Sequence, residues 1–134
     1  MTLRPSLTIK QVGPGAPLSI IATLISPLLS DFTWSDWGIG ATASTTPPST
    51  FADLTHYDSM YLSANADTFQ QSQAQSRSPG DVDRSYSDTE TATLAVRATG
   101  NYAPGKHLWL VVFDMSPPSG TDTVRAVSNL ATVI

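Results

Sequence analysis

Cysteine is absent from this chain, glutamate occurs once (Glu90), and lysine occurs twice (Lys10 and Lys106). Without cysteine there is no disulfide, no thiolate ligand for zinc, and no thiol nucleophile or redox pair. Charged residues make up 13% of the 134 positions, about half the usual share. The surface must therefore be polar but largely uncharged. The arginines (Arg4, Arg77, Arg84, Arg97 and Arg125) are scattered, and the formal net charge is −4. A nucleic-acid partner needs clustered cations to displace phosphate counterions. The charge pattern thus argues against nucleic acid, and equally against polybasic attachment to a membrane.

Apolar runs are short. The longest, 16-APLSIIATLISPLL-29, follows Arg4 and Lys10 and loosely resembles a signal peptide. Pro17 and Pro27 interrupt it, it is too short to span a bilayer, and the small-residue site 41-ATA-43 lies far beyond its end. It reads as buried structure. Its apolar residues occupy both faces of a strand, but Leu18, Ile21, Ala22, Ile25 and Leu29 also fall at helical spacing. A strand and a short helix over 17–29 therefore compete.

What the chain does have is serine and threonine, about a quarter of all residues, with many valines and ten prolines. Good helix formers for a surface are scarce and β-formers plentiful. The length fits one domain over residues 1–134, long enough to bury a core without a metal or disulfide. A first strand is expected over 6-SLTIKQV-12, closed by the breakers 13-GPGAP-17. Residues 41-ATASTTPPST-50 read as a loop, 51–66 as one strand with irregular flanks, and 67–88 as a long polar excursion. The run 89-TETATLAVRA-98 alternates cleanly, with Glu90, Ala92, Leu94, Val96 and Ala98 on one face and threonines on the other. The run 107-HLWLVVFDM-115 is apolar on both faces, as a central strand would be. The two runs are expected to pair as a hairpin, with 123–134 supplying a closing strand or two. Short strands between Gly/Pro/Ser turns predict an all-β antiparallel sandwich, immunoglobulin-like or jelly-roll-like in architecture.

Motifs for chemistry are weak. His56 and His107 are the only histidines, and no G-x-S-x-G elbow accompanies them. His107 opens a strong strand and reads as its edge cap. Asp81, Asp83, Ser85 and Ser87 space oxygen ligands at alternate positions, but Tyr86 and Ala92 break the EF-hand pattern. This reads as a solvated loop, with Arg84 shielding the aspartates. The motif 38-GIG-40 lacks the third glycine of a nucleotide loop, so no cofactor is expected.

The stretch 32-FTWSDWGIG-40 holds two of the three tryptophans, Trp34 and Trp37. Exposed, coplanar rings with Asp31 or Asp36 accepting hydroxyl hydrogens would make a sugar platform. The competing reading puts Trp34 in the core and Trp37, the more exposed of the two, at an edge or a subunit contact. The expected function is therefore a non-enzymatic structural component of an assembly. A capsid, protruding or decoration protein of a virus or phage fits, placing the chain on a virion or extracellular surface. It would act as a homo-oligomer or dock on a larger protein assembly, with Trp37, the 41–50 loop and the 67–88 excursion as contacts. The alternative is a carbohydrate-binding module or adhesin that stacks a glycan on Trp34, Trp37, Tyr57 or Tyr102.

Overall fold

A computed structural model describes residues 4–25, 36–59, 68–71, 89–114 and 118–134. The described elements are antiparallel strands in two sheets packed face to face, an all-β sandwich. They are β1 (Arg4–Lys10), β2 (Leu18–Ile25), β3 (Asp36–Thr42), β4 (His56–Ser59), β5 (Thr68–Gln71), β6 (Thr89–Val96), β7 (His107–Phe113), β8 (Val124–Val127) and β9 (Ala131–Thr132). The first sheet runs β1-β2-β6-β5. The second runs β4-β3-β7-β8, and β9 also pairs with β7.

Residues 18–25 resolve in favour of the strand, and no α-helix occurs among the described residues. Leu18, Ile20, Ala22 and Leu24 point inward and are fully buried, in the two-residue period of a strand. β2 lies between β1 and β6, so both of its edges are paired. Within 67–88, residues 68–71 are not loop but strand β5, added to β6 in the first sheet. The candidate oxygen ligands at 81–87 lie outside the described residues.

The predicted 89–98/107–115 hairpin does not form. β6 belongs to the first sheet and β7 to the second, although the two are consecutive in the chain. The link between them carries a 3-10 turn at Gly100–Tyr102 whose tyrosine is buried in the core between the sheets. The ten residues from Arg97 to Lys106, with this buried anchor, are enough to cross the sandwich. The inward faces of β6 (Leu94, Val96) and β7 (Leu108, Leu110, Val112) then meet across the interior instead of lying side by side.

β7 is central and two-faced, as its composition predicts. Leu108, Leu110 and Val112 face the first sheet together with Trp37, Ile39 and Ala41 of β3. Trp109, Val111 and Phe113 face the other way and are covered by Phe51, Leu54, Tyr57, Val124, Val127 and Leu130. The outer cover is the segment after β3, which is fastened across to β8. Thr50 bridges Thr123, Phe51 N donates to Asp122 O, and Val124 N donates to Ser49 O.

Two consecutive polar residues close one lateral side. Between β8 and β9, Ser128 continues the edge of β7: its amide donates to Leu110 O at 2.9 Å, and its Oγ accepts from Leu110 N at 2.8 Å. Asn129 then reaches across to the first sheet, accepting from Leu7 N at 3.0 Å and donating to Leu7 O at 2.8 Å. Leu7 therefore turns its backbone groups away from β2. By strand alternation Pro5 turns the same way, and proline has no N–H to offer a further strand. Gln11 repeats the device at the end of β1, donating to Ile134 O and accepting from Ile134 N.

Asn129→Ala removes both bonds to Leu7 and leaves two half-covered backbone groups without that partner. It should cost about 1–3 kcal/mol of unfolding free energy. This would appear in urea denaturation as a lower midpoint at an unchanged slope. A midpoint equal to wild type would show that the amide closes nothing.

Candidate functional site

The polar side chains with chemical potential converge where β3 pairs with β4. Along β3, Trp37, Ile39 and Ala41 point inward, so Asp36, Gly38, Gly40 and Thr42 line the outer face. The register sets Gly38 against Ser59, Ile39 against Asp58, Gly40 against Tyr57 and Ala41 against His56. β4 lies so close over β3 that a Cβ on Gly38 would fall 2.2 Å from the carbonyl oxygen of Asp58. Only glycine permits that approach.

On the outer face, Asp36 is completely buried. It accepts from Ser59 Oγ at 2.7 Å and from Tyr57 Oη at 3.1 Å, and the backbone amide of Trp37 also donates to it. No cation pairs with it among the described residues. Burial therefore pushes its carboxyl above the ordinary value of 3.8, and the hydroxyl and amide donors only partly offset that. The Tyr57 ring packs edge-on against Phe51 and Phe113, with centroids 5.7 and 5.6 Å away. The same residue thus serves the outer apolar cover and the carboxylate.

On the opposite face of β4, His56 Nε2 lies 2.8 Å from Asp58 Oδ2, and Tyr102 Oη donates to the same oxygen. Tyr102 is buried in the main core, so this carboxylate ties the β6–β7 link to β4. Ser59 and His56 sit three positions apart on an extended strand, hence on opposite faces. Ser59 is therefore turned away from the imidazole–carboxylate pair and does not complete a Ser-His-Asp relay with it.

The candidate ligand-stacking residues take other places. Trp37, expected to be the more exposed tryptophan, is 1% exposed and belongs to the core. Its neighbours Gly38 and Gly40 have no side chains to fill the outer face, so the strand turns its one large ring inward. Tyr102 is buried and Tyr57 half-buried, each spending its hydroxyl on an aspartate of this chain. Trp34 lies outside the described residues. The third tryptophan, Trp109, is in the outer cluster and donates from Nε1 to Thr42 Oγ1 at 2.8 Å. Asp36 reads in the sequence as a candidate acceptor for the hydroxyls of a sugar; the hydroxyls that it accepts from are those of Tyr57 and Ser59. At the far end of β3, His107 is half-buried at the start of β7, with Nδ1 3.2 Å from Thr132 Oγ1 on β9.

No protein-family description matches this chain, and no curated protein matches it significantly.

Asp36 gives a pH dependence of defined sign. Its folded-state pKa is raised, so its contribution to stability is complete below the unfolded value and is lost as pH rises through the folded value. Asp53 acts oppositely. Its carboxyl is held low by the amides of Ser49 and Thr50, but it is exposed and unchanged by a substitution at Asp36, so it cancels when wild type and variant are compared. Asp36→Asn should therefore flatten the pH profile. The unfolding free energy of wild type minus that of Asp36→Asn should be largest in mild acid and decline towards neutral pH. A difference that stays constant, or rises with pH, would contradict the buried acid.

Proposed function

We propose that this chain is a non-enzymatic structural domain that works by contact with neighbouring protein subunits in a larger assembly, of the kind found in virus and phage particles. The observation that carries this reading is the contrast between the two sheets. The second sheet is covered on both faces, and its reactive groups are spent holding β4 to β3. Among the described residues, the first sheet is covered on its inner face only. Its outer face presents Ser6, Thr8 and Thr93 exposed, with Ser19, Ile21 and Thr23 half-buried between them. The register sets these into rows: Ser6 beside Thr23, and Thr8 beside Ile21 and Thr93.

A pleated, hydroxyl-rich face whose described charges on β1, Arg4 and Lys10, sit at the two ends of that edge strand suits contact with another protein. Its middle can be desolvated without stranding those charges, and each hydroxyl both donates and accepts. The exposed loop at 43–47 adds further short polar side chains. Trp37 drops out of the contact set because it is core. The carbohydrate reading loses Trp37, Tyr57 and Tyr102 to internal roles, and no observation favours it.

Native mass spectrometry over rising concentration tests the proposal. A discrete multiple of the 14.2 kDa chain mass is expected. Thr93→Glu should shift it to monomer without lowering the melting temperature, because a carboxylate in that face resists desolvation. A strictly monomeric chain at the highest concentration would overturn the reading.

A further inference from the structure

The His107 end of the second sheet carries a feature that the contact role does not use. A cleft of about 360 Å³ opens there, lined by Lys106, His107, Thr42, Thr55 and the Pro104–Gly105 turn. Its chemistry is unusual for this molecule. The chain carries a net charge of −4 and only two lysines, yet one of those lysines and one of the two histidines line the same concavity. No carboxylate lines it among the described residues. The neighbouring cleft over residues 42–53, by contrast, includes Asp53. Neither Lys106 nor His107 makes an ion pair among the described residues.

The backbone beneath these groups is fixed before any ligand arrives. Gly105 adopts a φ of +93°, open to glycine and strained for other residues. Its amide donates to Val133 O at 2.8 Å, and Val133 N donates to Lys106 O at 3.0 Å. His107 is paired on both sides, with Thr42 of β3 and Thr132 of β9. Thr42 and Thr55 commit their hydroxyl hydrogens to Ser44 O and Ala41 O, which leaves Lys106 and His107 as the donors for a guest. In the tautomer in which Thr132 Oγ1 donates to Nδ1, the imidazole carries its hydrogen on Nε2 and can donate from there.

We propose that this cleft binds a small oxyanion (a sulfate, phosphate or carboxylate group) between the Lys106 ammonium and His107 Nε2. Both donors are mounted on backbone that needs no reordering, so the conformational entropy lost on binding is that of the two side chains alone. The ammonium makes a charge-assisted hydrogen bond, the stronger kind. Among the described residues no lining carboxylate repels an anion at close range. The site is independent of the subunit-contact reading, since it lies on the second sheet and needs one chain only.

The test is a titration of the full chain followed by 1H–15N spectra, with sodium sulfate, sodium phosphate and sodium acetate as separate arms. Sodium chloride at matched ionic strength and pH is the reference. The amides of Gly105, Lys106 and His107 and the His107 ring nitrogens should shift saturably with at least one oxyanion. Lys106→Ala and His107→Gln should each weaken that binding about tenfold, the loss of one such hydrogen bond. Lys10→Ala, which removes the other lysine from an exposed strand position, should leave it unchanged. A response to acetate as well as sulfate and phosphate would assign the site to any carboxylate or tetrahedral anion, and a response to the latter two alone to tetrahedral anions. Shifts that fail to saturate, that chloride reproduces, or that Lys106→Ala and Lys10→Ala reduce equally would overturn the proposal. Should His107→Gln not fold, the comparison of the two lysine variants decides.

Discussion

A strand that is apolar on both faces has to be covered twice, and β7 imposes that requirement on this molecule. Its inward residues require a second sheet above them. Its outward residues require something that is not a sheet, and the segment from Ser49 to Tyr57 supplies it. Each edge also needs a partner, because an unpaired backbone group in this interior would cost free energy comparable to a lost hydrogen bond. β3 fills one edge along its full length. β8 and β9 fill the two ends of the other, and Ser128 bridges the gap between them. The crossing link, the covering turn and the C-terminal strands all answer to the same nonpolar run.

The aspartates follow from this arrangement. β4 is short and pairs with β3 through four residues, too few to hold an edge by backbone bonds alone. Carboxylates on its two faces add side-chain ties: Asp36 below Tyr57 and Ser59, and Asp58 between His56 and Tyr102. A buried carboxylate with no cation paired to it among the described residues is a costly tie, which explains the direction of its pKa. The polar cluster at β4 is divided in the same way. Its hydroxyls and imidazole are apportioned between two faces of a strand, each group engaged with an acid of the same chain.

Much of this was legible in the sequence, and the remainder was illegible for identifiable reasons. The alternation in 89–96 and the two-faced run at 107–113 are local properties, and both elements appear where the pattern puts them. Which sheet a strand joins is not local. The link 99–106 reads as a turn whether it folds back or crosses over, and only the burial of Tyr102 distinguishes the two. Residues 18–25 carry both periods, and pairing with β1 and β6 selected the strand. Trp37 reads as an edge residue in the sequence because a strand would turn it away from Trp34, but the glycines that flank Ile39 leave the outer face without bulk and Trp37 fills the interior beside Tyr102. The partners of Asp36 stand 21 and 23 residues further along the chain, beyond the reach of any spacing rule. The hydroxyl-rich face of the first sheet was visible as a threonine-rich alternation, yet its extension across three strands required the register.

The unfolding free energy of Phe113→Ala tests the double covering of β7 most directly, because Phe113 faces away from the sandwich interior yet is fully buried. If the segment around Phe51 and Tyr57 is a true second cover, the truncation should cost about 3–5 kcal/mol, as for a phenylalanine in any core. A change within about 0.5 kcal/mol of wild type, the range of an ordinary surface substitution, would mean that the outer face of β7 is open and that the account built on it is wrong.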